Sequence, residues 1–411
     1  MKAVGSELIA RTRRLDADVD LLEVAGPDGV LFSRNRVGFA GRGSALVVGR
    51  GTVMAALGSI AVDDEVQHPG TGPVAFGALP FLPDGPADMV VPEVLVGRDQ
   101  DGTRWVTTIT GVTEPETDPR ARLDELLAET ADRPRAVGPG TFDVRSTRAP
   151  ADWVGAVETA TEHIRSGVLD KVVLAREVVV TADSPIPVDT VLLRLSQAYP
   201  DCFLYLVDGF CGASPELLVG RAGDVVRAQP MAGTAPRRGD PTADARLAAG
   251  LLASATYRQE HQVTIDAVHD GLLAFSSYVD YEPEPSVVAL ANVQHLATSV
   301  EGRLSHPPAS IMELVGALHP TPAVCGRPRD AALSLISELE GLDRGRYAGA
   351  VGWVDATGNG QFAVSIRGAT FEGNQARVIS GNGIVADSDP SVELIETRAK
   401  LQAMLSVIVR P

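Results

Sequence analysis

The chain has 411 residues, 45% hydrophobic and 22% charged, a balance typical of a globular protein with a substantial core. Its net charge of -17 argues against nucleic acid or an anionic membrane surface as a partner, because both attract surfaces rich in Lys and Arg. The three cysteines form no CxxC pair, and we find neither a signal peptide nor a membrane-spanning apolar run, so we expect a cytoplasmic protein.

The first third of the chain predicts short strands separated by turns. Residues 45–48 and 94–96 are β-rich, whereas residues 123–130 have helical spacing. Prolines and glycines are frequent in residues 133–150, which predicts an exposed connection.

Helical and β-rich segments alternate through the middle of the chain. Apolar residues at spacings of three and four predict helices, and β-branched or aromatic runs predict strands. The predicted helices cover residues 153–168, 243–277 and 329–339, and the predicted strands cover residues 171–180, 203–207 and 216–219.

The C-terminal segment predicts a hairpin followed by a long helix. Residues 350–354 and 362–366 form the strands, with a glycine-rich turn between them. Asp389 as N-cap and Pro390 in the first turn mark the start of a helix that buries Leu401.

Long helices interleave with hairpins, and the sequence contains no regular βαβ repeat. We therefore predict an α+β fold with large, mostly antiparallel sheets. Residues 1–411 are expected to form one unit, in which residues 1–133 complete the sheets and residues 150–408 carry the functional motifs.

Two predicted helices carry carboxylates that could form a metal site. Glu393, Glu396 and Lys400 are spaced i, i+3 and i+7, so they lie near one helix face. They are either a solvated face with a Glu396–Lys400 pair or the acidic ligands of a hard cation such as Mg²⁺. Glu260 is either a surface glutamate or a second source of such ligands. His261 is interpreted as a core histidine, because no zinc-type ligand spacing surrounds it.

A lysine and a glutamate are candidate proton-transfer groups. Lys171 opens an otherwise apolar strand, where it is either an edge residue reaching solvent or a general base in a dry site. Glu216 follows a turn and is either a solvent-facing carboxylate or an acid kept protonated by burial. The turns at Gly233–Thr234 and Gly381 could present N–H groups to a carboxylate, although such turns are common.

Taken together, these motifs resemble those of the chorismate-utilising enzymes, which include isochorismate, salicylate, anthranilate and aminodeoxychorismate synthases. The matching segments follow in order: KVVLAR at 171–176, SPE at 214–216, PMAGT at 230–234, RQEH at 258–261, QHL at 294–296, HPTPAV at 319–324, YAG at 347–349, IR at 366–367, GNGIV at 381–385 and ELIETRAK at 393–400.

The resemblance implies two large, mostly antiparallel sheets packed face to face, with helices outside and a Mg²⁺ site in the cleft. Glu260 and Glu396 resemble the Mg²⁺ ligands, and Glu393 resembles a supporting group beside them. The metal would hold the ring carboxylate of chorismate.

The resemblance also assigns a substrate pocket. The residues expected to line it or to hold the enolpyruvyl carboxylate are Gly233, Thr234, His295, Ala323, Tyr347, Ile366, Arg367, Gly381 and Lys400.

A few positions separate the branches of this family. Lys171 resembles the base of the water-using branch, which argues against an anthranilate-type enzyme, and Ala232 replaces the lysine nucleophile of aminodeoxychorismate synthases. Ala323 resembles isochorismate synthases, since salicylate synthases have a threonine nearby. Tyr257 with its neighbour Thr256 replaces a Lys-Asp pair, and Asn382 replaces an alanine in the usual Gly-Ala-Gly-Ile-Val.

The resemblance implies an isochorismate synthase, an isomerase in which Lys171 activates water for attack on C2 of chorismate and Glu216 protonates the departing C4 hydroxyl. The product would serve the synthesis of menaquinone, of a siderophore or, through a separate lyase, of salicylate, and we expect a monomer. Three alternatives stay open: a salicylate synthase, an anthranilate synthase component and a catalytically silent chorismate-binding protein.

Overall fold

The computed structural model describes residues 7–131, 138–237 and 239–410. Residues 133–137 of the predicted connection, residues 132–133 of the predicted N-terminal region and residues 1–6 lie outside the described part. Within it, the strands are β1 Leu8–Arg14, β2 Val30–Arg34, β3 Val37–Arg42, β4 Leu46–Gly49, β5 Ala61–Asp64, β6 Val74–Leu79, β7 Asp88–Val91, β8 Val94–Arg98, β9 Arg104–Gly111, β10 Phe142–Ser146, β11 Lys171–Ala182, β12 Phe203–Val207, β13 Phe210–Ser214, β14 Leu217–Ala222, β15 Val225–Gln229, β16 Met231–Pro236, β17 Ser276–Tyr281, β18 Ser286–Ala289, β19 Val293–Ala297, β20 Val300–Leu304, β21 Gly326–Arg327, β22 Ala350–Asp355, β23 Gly360–Val364, β24 Gly368–Glu372 and β25 Gln375–Ile384.

The helices of the same described residues alternate with these strands. They are α1 Leu21–Ala25, α2 Val53–Gly58, α3 Pro119–Ala131, α4 Pro150–Arg165, α5 Val188–Ala198, α6 Pro241–Ala253, α7 Ala255–Leu273, α8 Ile311–Leu318, α9 Arg329–Leu339 and α10 Pro390–Ile408. None of these helices is both long enough and apolar enough to cross a bilayer.

The strands form three sheets. The largest has 13 strands in the order β10-β11-β25-β24-β13-β12-β2-β3-β8-β9-β1-β5, with β21 added beside β11. A nine-stranded sheet has the order β17-β20-β15-β14-β23-β22-β6-β7-β4, and a small sheet has the order β16-β19-β18. Pairing is antiparallel apart from the parallel pair β1 and β5 among the described strands. The predicted α+β class with mostly antiparallel sheets is confirmed.

The two large sheets pack face to face through aromatic and aliphatic side chains. Phe39 of the first sheet contacts Trp353 of the second, with ring centroids 4.6 Å apart, and Phe76 and Tyr205 are buried in the same cluster. Helices α5 and α10 cover the outer face of the first sheet, where Leu401 is buried as predicted. Burial of apolar surface on both faces stabilises the sheets.

Strands from the N-terminal region pair directly with strands from the rest of the chain. β2 pairs with β12, and β6 pairs with β22 along its whole length. A single unit would show such pairing, and the organisation of residues 1–411 as one unit stays a prediction.

Two helix predictions need correction. The predicted helix over residues 243–277 is two helices, because Ser254 ends α6 in an extended conformation and its hydroxyl then caps α7 at Tyr257 N–H. The chain has already entered strand β17 by residue 276. The predicted helix 153–168 ends at Arg165, and Val168 is 55% exposed beyond a Gly167 turn.

The predicted C-terminal hairpin is part of a larger arrangement. β22 and β23 match the prediction closely, but β23 ends at Val364, and Arg367 beyond it adopts a left-handed backbone with φ 54°. The chain then forms two further strands, β24 and β25, in the other large sheet. Asp389 caps α10 through the N–H groups of Ser391 and Val392, as predicted.

A buried ion pair between Glu340 and Arg344 connects several elements. Arg344 donates to the carbonyls of Val324 at 2.9 Å and Val173 at 2.7 Å, and Glu340 accepts from Ala175 N–H at 2.7 Å. Both side chains are at most 3% exposed. Because removing one partner would leave a buried charge without compensation, the pair is expected to matter for stability.

Arg344→Leu should lower the free energy of unfolding by about 3–5 kcal/mol, the usual cost of leaving one charge of a buried pair unpaired. The measurement is equilibrium denaturation in urea. Arg227→Leu is the matched control, because Arg227 pairs with Glu301 at 2.7 Å on the surface and its loss should cost less than about 1 kcal/mol. Equal effects of the two substitutions would contradict the structural importance of the buried pair.

Candidate active site

A cavity of about 550 Å³ lies where β11 and β25 meet α7 and α10. This volume falls in the usual range for small-molecule sites. Every residue predicted for the site lines it: Lys171, Glu216, Gly233, Thr234, Glu260, His295, Ala323, Tyr347, Ile366, Arg367, Gly381, Glu393, Glu396 and Lys400. The structure therefore brings the predicted set together, and the role of each residue stays a prediction.

Lys171 is buried at the first position of β11 rather than reaching solvent from a sheet edge. Lys171 pairs with Arg327 of β21, and the Lys171 ammonium donates to Glu260 Oε1 at 2.7 Å. Gly383 of β25 leaves room for this side chain, since a Cβ there would lie 2.6 Å from Lys171 Cε. The alternative of an edge lysine is wrong.

Glu216 is held in the short link between β13 and β14. Its carboxyl group is buried, and Met231 N–H donates to Oε1 at 3.4 Å. The link itself is fixed because Ser214 Oγ donates to Val364 C=O at 2.6 Å and Val364 N–H donates to Glu216 C=O at 3.1 Å. The alternative of a solvent-facing carboxylate is wrong.

Burial raises the pKa of Glu216 to about 8, although the Met231 N–H, Lys171 and Arg367 act in the opposite direction. Desolvation favours the uncharged form of a carboxyl group. At neutral pH Glu216 is therefore mainly protonated, and it can donate a proton.

Arg367 is a further buried cation that lines the cavity. Its Nη2 donates to His295 Nε2 at 3.3 Å, and no carboxylate of the described residues lies within ion-pair distance of it. Its buried Nε has no hydrogen-bond partner among those residues. A buried donor without a partner is costly, so this guanidinium suits a ligand anion.

His295 is neutral and fixed in one tautomer. Burial, together with Arg367 and Lys400, lowers the pKa of His295 well below its usual range. Because Arg367 can only donate, Nε2 accepts and Nδ1 carries the proton, with Thr234 Oγ1 3.1 Å away. Thr234 and His295 face each other in β16 and β19, where the backbone irregularity at Gly233 (φ 76°) occurs.

Tyr347, Gly381 and Lys400 form a second polar group beside Arg367. Burial raises the pKa of Tyr347, and the Gly381 backbone N–H bonds its hydroxyl group. Lys400 of α10 donates to Gly381 C=O at 3.1 Å and forms an ion pair with Glu396 at 2.7 Å. The predicted i,i+4 pair therefore exists, but it lines the cavity instead of a solvated face.

Glu260, Glu393 and Glu396 converge on one end of the cavity. All three raise the pKa of Tyr257, for which burial is the largest cause. Burial and the charge of Glu396 also raise the pKa of Glu393. Among the described residues the three carboxylates do not all lie within 4.8 Å of one another. Glu260 forms an ion pair with Lys171, and Glu396 forms one with Lys400.

His261 is a core histidine, as predicted. Its Nε2 lies 2.8 Å from Thr298 Oγ1, and burial lowers its pKa to about 4. It is neutral at physiological pH and does not line the cavity.

Sequence reasoning missed three contributors to the site. Tyr257 covers its acidic end, Ser388 Oγ donates to Glu393 at 2.8 Å, and Asn382 lies between Glu393 and Lys400. The departures at Tyr257 and Asn382 from the resembled family were visible in the sequence and were the available signal. Ser388 carried no such signal.

Comparisons with known proteins agree with this geometry. The family model described as chorismate binding enzyme matches residues 51–409. A Mycobacterium tuberculosis protein provisionally named isochorismate synthase MenF is 38% identical over 354 residues, covering 82% of this chain and 87% of that protein. Isochorismate synthase DhbC of Bacillus subtilis is 36% identical over 344 residues, covering 81% of this chain and 80% of that protein.

A solved structure shows that the fold is shared. The menaquinone-specific isochorismate synthase MenF from Escherichia coli superposes with a TM-score of 0.84 at 24% identity, covering 98% of this chain and 95% of that one.

The protonated state of Glu216 can be measured directly. The infrared spectrum of the wild type should contain a protonated-carboxyl band that the Glu216→Gln spectrum lacks. This band should disappear as the pH rises through about 8. The band should be fully present below pH 7, because a raised pKa keeps the acid form until higher pH. A midpoint near the ordinary 4.5 would contradict the inferred burial of the acid.

Proposed function

Because the chain belongs to the chorismate-binding enzyme family, we propose that it is an isochorismate synthase that acts in the cytoplasm as a monomer. The observation that carries the proposal is that a buried lysine and a buried, protonated glutamic acid line the same cavity as an arginine without a carboxylate partner. The names of its relatives support the same reaction.

The cavity fits a small dianion with a ring. Arg367 offers its unpartnered Nε to one carboxylate of chorismate, and Lys400 and the Tyr347 hydroxyl group lie beside it. Neutral His295 adds a polar wall without adding charge. Ala323 and Ile366 supply apolar walls for the ring. Holding both ends of the substrate would fix C2 and C4 relative to the two proton-transfer groups.

The proton transfers involve Lys171 and Glu216. The Lys171 ammonium, paired with Glu260 at rest, first gives a proton to solvent, and the resulting amine takes a proton from water while the water oxygen forms a bond to C2. The ring double bonds shift, the C4–O bond breaks, and Glu216 gives its proton to the departing hydroxyl group, which leaves as water. One water enters and one leaves, so the reaction is an isomerisation. The lysine and glutamate then exchange the proton through solvent.

The acidic end of the cavity fits Mg²⁺. Its donors are carboxylate oxygens, the ligands that Mg²⁺ prefers, and Mg²⁺ commonly needs only one or two of them beside water and substrate oxygens. Glu260 and Glu396 would hold the ion, with Glu393 next to Glu396 in support. When bound, the ion would supply positive charge at the ring carboxylate and compete with Lys171 for the Glu260 oxygens.

Product analysis tests the proposal. The purified protein incubated with chorismate and Mg²⁺ should form isochorismate, separated by chromatography. Salicylate formation without an added lyase would indicate a salicylate synthase, and an amine product with ammonium would indicate an anthranilate-type enzyme. Binding of chorismate without any product would indicate a silent relative. Each of these three results would contradict the proposed reaction.

Lys171→Ala and Glu216→Gln should each lower kcat about 10²–10⁴-fold, the usual contribution of a positioned acid or base. Circular dichroism should show that both variants keep the fold. The matched control is Lys2→Ala, a lysine outside the motif-bearing residues. Near-wild-type turnover of either variant would show that the role assigned to that residue is wrong.

Chelation should abolish turnover. Activity should vanish with EDTA and return with Mg²⁺. Glu396→Gln should weaken the binding of Mn²⁺ about tenfold or more, because a carboxylate ligand is lost. Electron paramagnetic resonance measures this binding. Glu372→Gln, on a strand away from the cavity, should bind Mn²⁺ as the wild type does. Turnover that is insensitive to EDTA would exclude a metal role for Glu260 and Glu396.

A further inference from the structure

We propose that Asn382 is a positioning residue that connects Lys400 to Glu393 and so couples the anion-binding side of the cavity to its acidic end. The proposal rests on the proposed function for the roles of those two side chains. Asn382 does not line the cavity itself, so it would act through Lys400 and Glu393.

Both the oxygen and the nitrogen of the Asn382 amide form hydrogen bonds. Its Oδ1 accepts from Lys400 Nζ at 2.6 Å, and its Nδ2 donates to Glu393 Oε2 at 3.0 Å and to Glu393 C=O at 3.0 Å. The side chain is buried, 1% exposed, in β25 opposite Leu174. Because an ammonium can only donate and a carboxylate can only accept, the network fixes the orientation of the amide.

Lys400 has all three of its N–H donors engaged. They point to Asn382 Oδ1, to Gly381 C=O at 3.1 Å and to Glu396 Oε1 at 2.7 Å. Asn382 therefore shares the ammonium with Glu396 and limits how far Lys400 can move toward that carboxylate. Without the amide, Lys400 would lose one of its acceptors and pair more completely with Glu396.

Glu393 depends on the same amide. Its Oε1 accepts from Ser388 and its Oε2 accepts from Asn382, so each oxygen has one neutral donor. Burial raises the pKa of Glu393, and the nearby like charge of Glu396 adds to that effect. The amide holds the Glu393 carboxylate in place beside Glu396 without neutralising it, which preserves negative charge for a cation.

The test measures binding in Glu216→Gln protein, whose lowered kcat should leave chorismate largely unconverted during the titration. Adding Asn382→Ala should raise the chorismate Kd, measured by calorimetry, about tenfold, in the range expected for losing a hydrogen bond to a charged group. The Mn²⁺ Kd, measured by electron paramagnetic resonance, should rise about threefold, because Lys400 then competes more strongly for Glu396.

A double-mutant cycle separates positioning from a general structural effect. In a Lys400→Met background, Asn382→Ala should change the chorismate Kd less than about twofold, because residues that act as a unit are not additive. Asn374→Ala is the matched control, because the Asn374 amide donates to Ala182 C=O at the far end of the β24–β25 hairpin. This variant should leave both Kd values unchanged. If Asn382→Ala does not fold, Asn382→Ser should give the same directions.

Three results would each overturn the proposal. The first is an Asn382→Ala variant with wild-type Kd values, and the second is an Asn382→Ala effect on the chorismate Kd that is undiminished in the Lys400→Met background. The third is an Asn374→Ala variant whose Kd values change as much as those of Asn382→Ala. Failure of the proposed function is seen separately, as chorismate binding to the wild type without isochorismate formation. Absence of chorismate binding by the wild type would overturn both.

Discussion

The buried ion pair between Glu340 and Arg344 is the interaction on which the site depends most. It connects the backbone of β11 at Val173 and Ala175 to the loop at Val324, and the Arg344 guanidinium also stacks 4.1 Å from the Phe81 ring centroid. β11 carries Lys171, the loop carries Ala323, and the turn after Arg344 leads to Tyr347. A pair of this kind is stabilising only when all its hydrogen bonds are made, and here the backbone supplies them.

The cavity places three cations, Lys171, Arg367 and Lys400, close to the carboxylates Glu260, Glu393 and Glu396 inside a chain of net charge -17. Lys171 and Lys400 each face a glutamate, whereas Arg367 has no carboxylate partner within the described residues. This division creates one end that suits an anion and one end that suits a cation. Global charge therefore excludes large polyanions but says little about a small anionic substrate, because local groups in a buried cavity are screened only weakly.

Most of the site could be predicted from sequence because its residues occur in ordered motifs that resemble those of the chorismate-utilising enzymes, and the fold class followed from helices that interleave with hairpins. Burial was harder to predict. Glu216 follows Pro215 in a short link with no periodic pattern. Only the packing of β16 over this link shows that the Glu216 carboxyl group is buried. The end of α6 was missed because the apolar spacing runs through Ser254 into α7. The contacts of Asn382 join residues from two elements, and no local pattern contains them.

The central claim is that water supplies the new hydroxyl group while Lys171 and Glu216 move protons on either side of the ring. Turnover in ¹⁸O-labelled water, stopped at low conversion and analysed by mass spectrometry, tests it most directly. The account predicts isochorismate with the label in its C2 hydroxyl group. Unlabelled product would mean that the C4 oxygen migrates within the molecule, and it would contradict the assignment of a water-activating base.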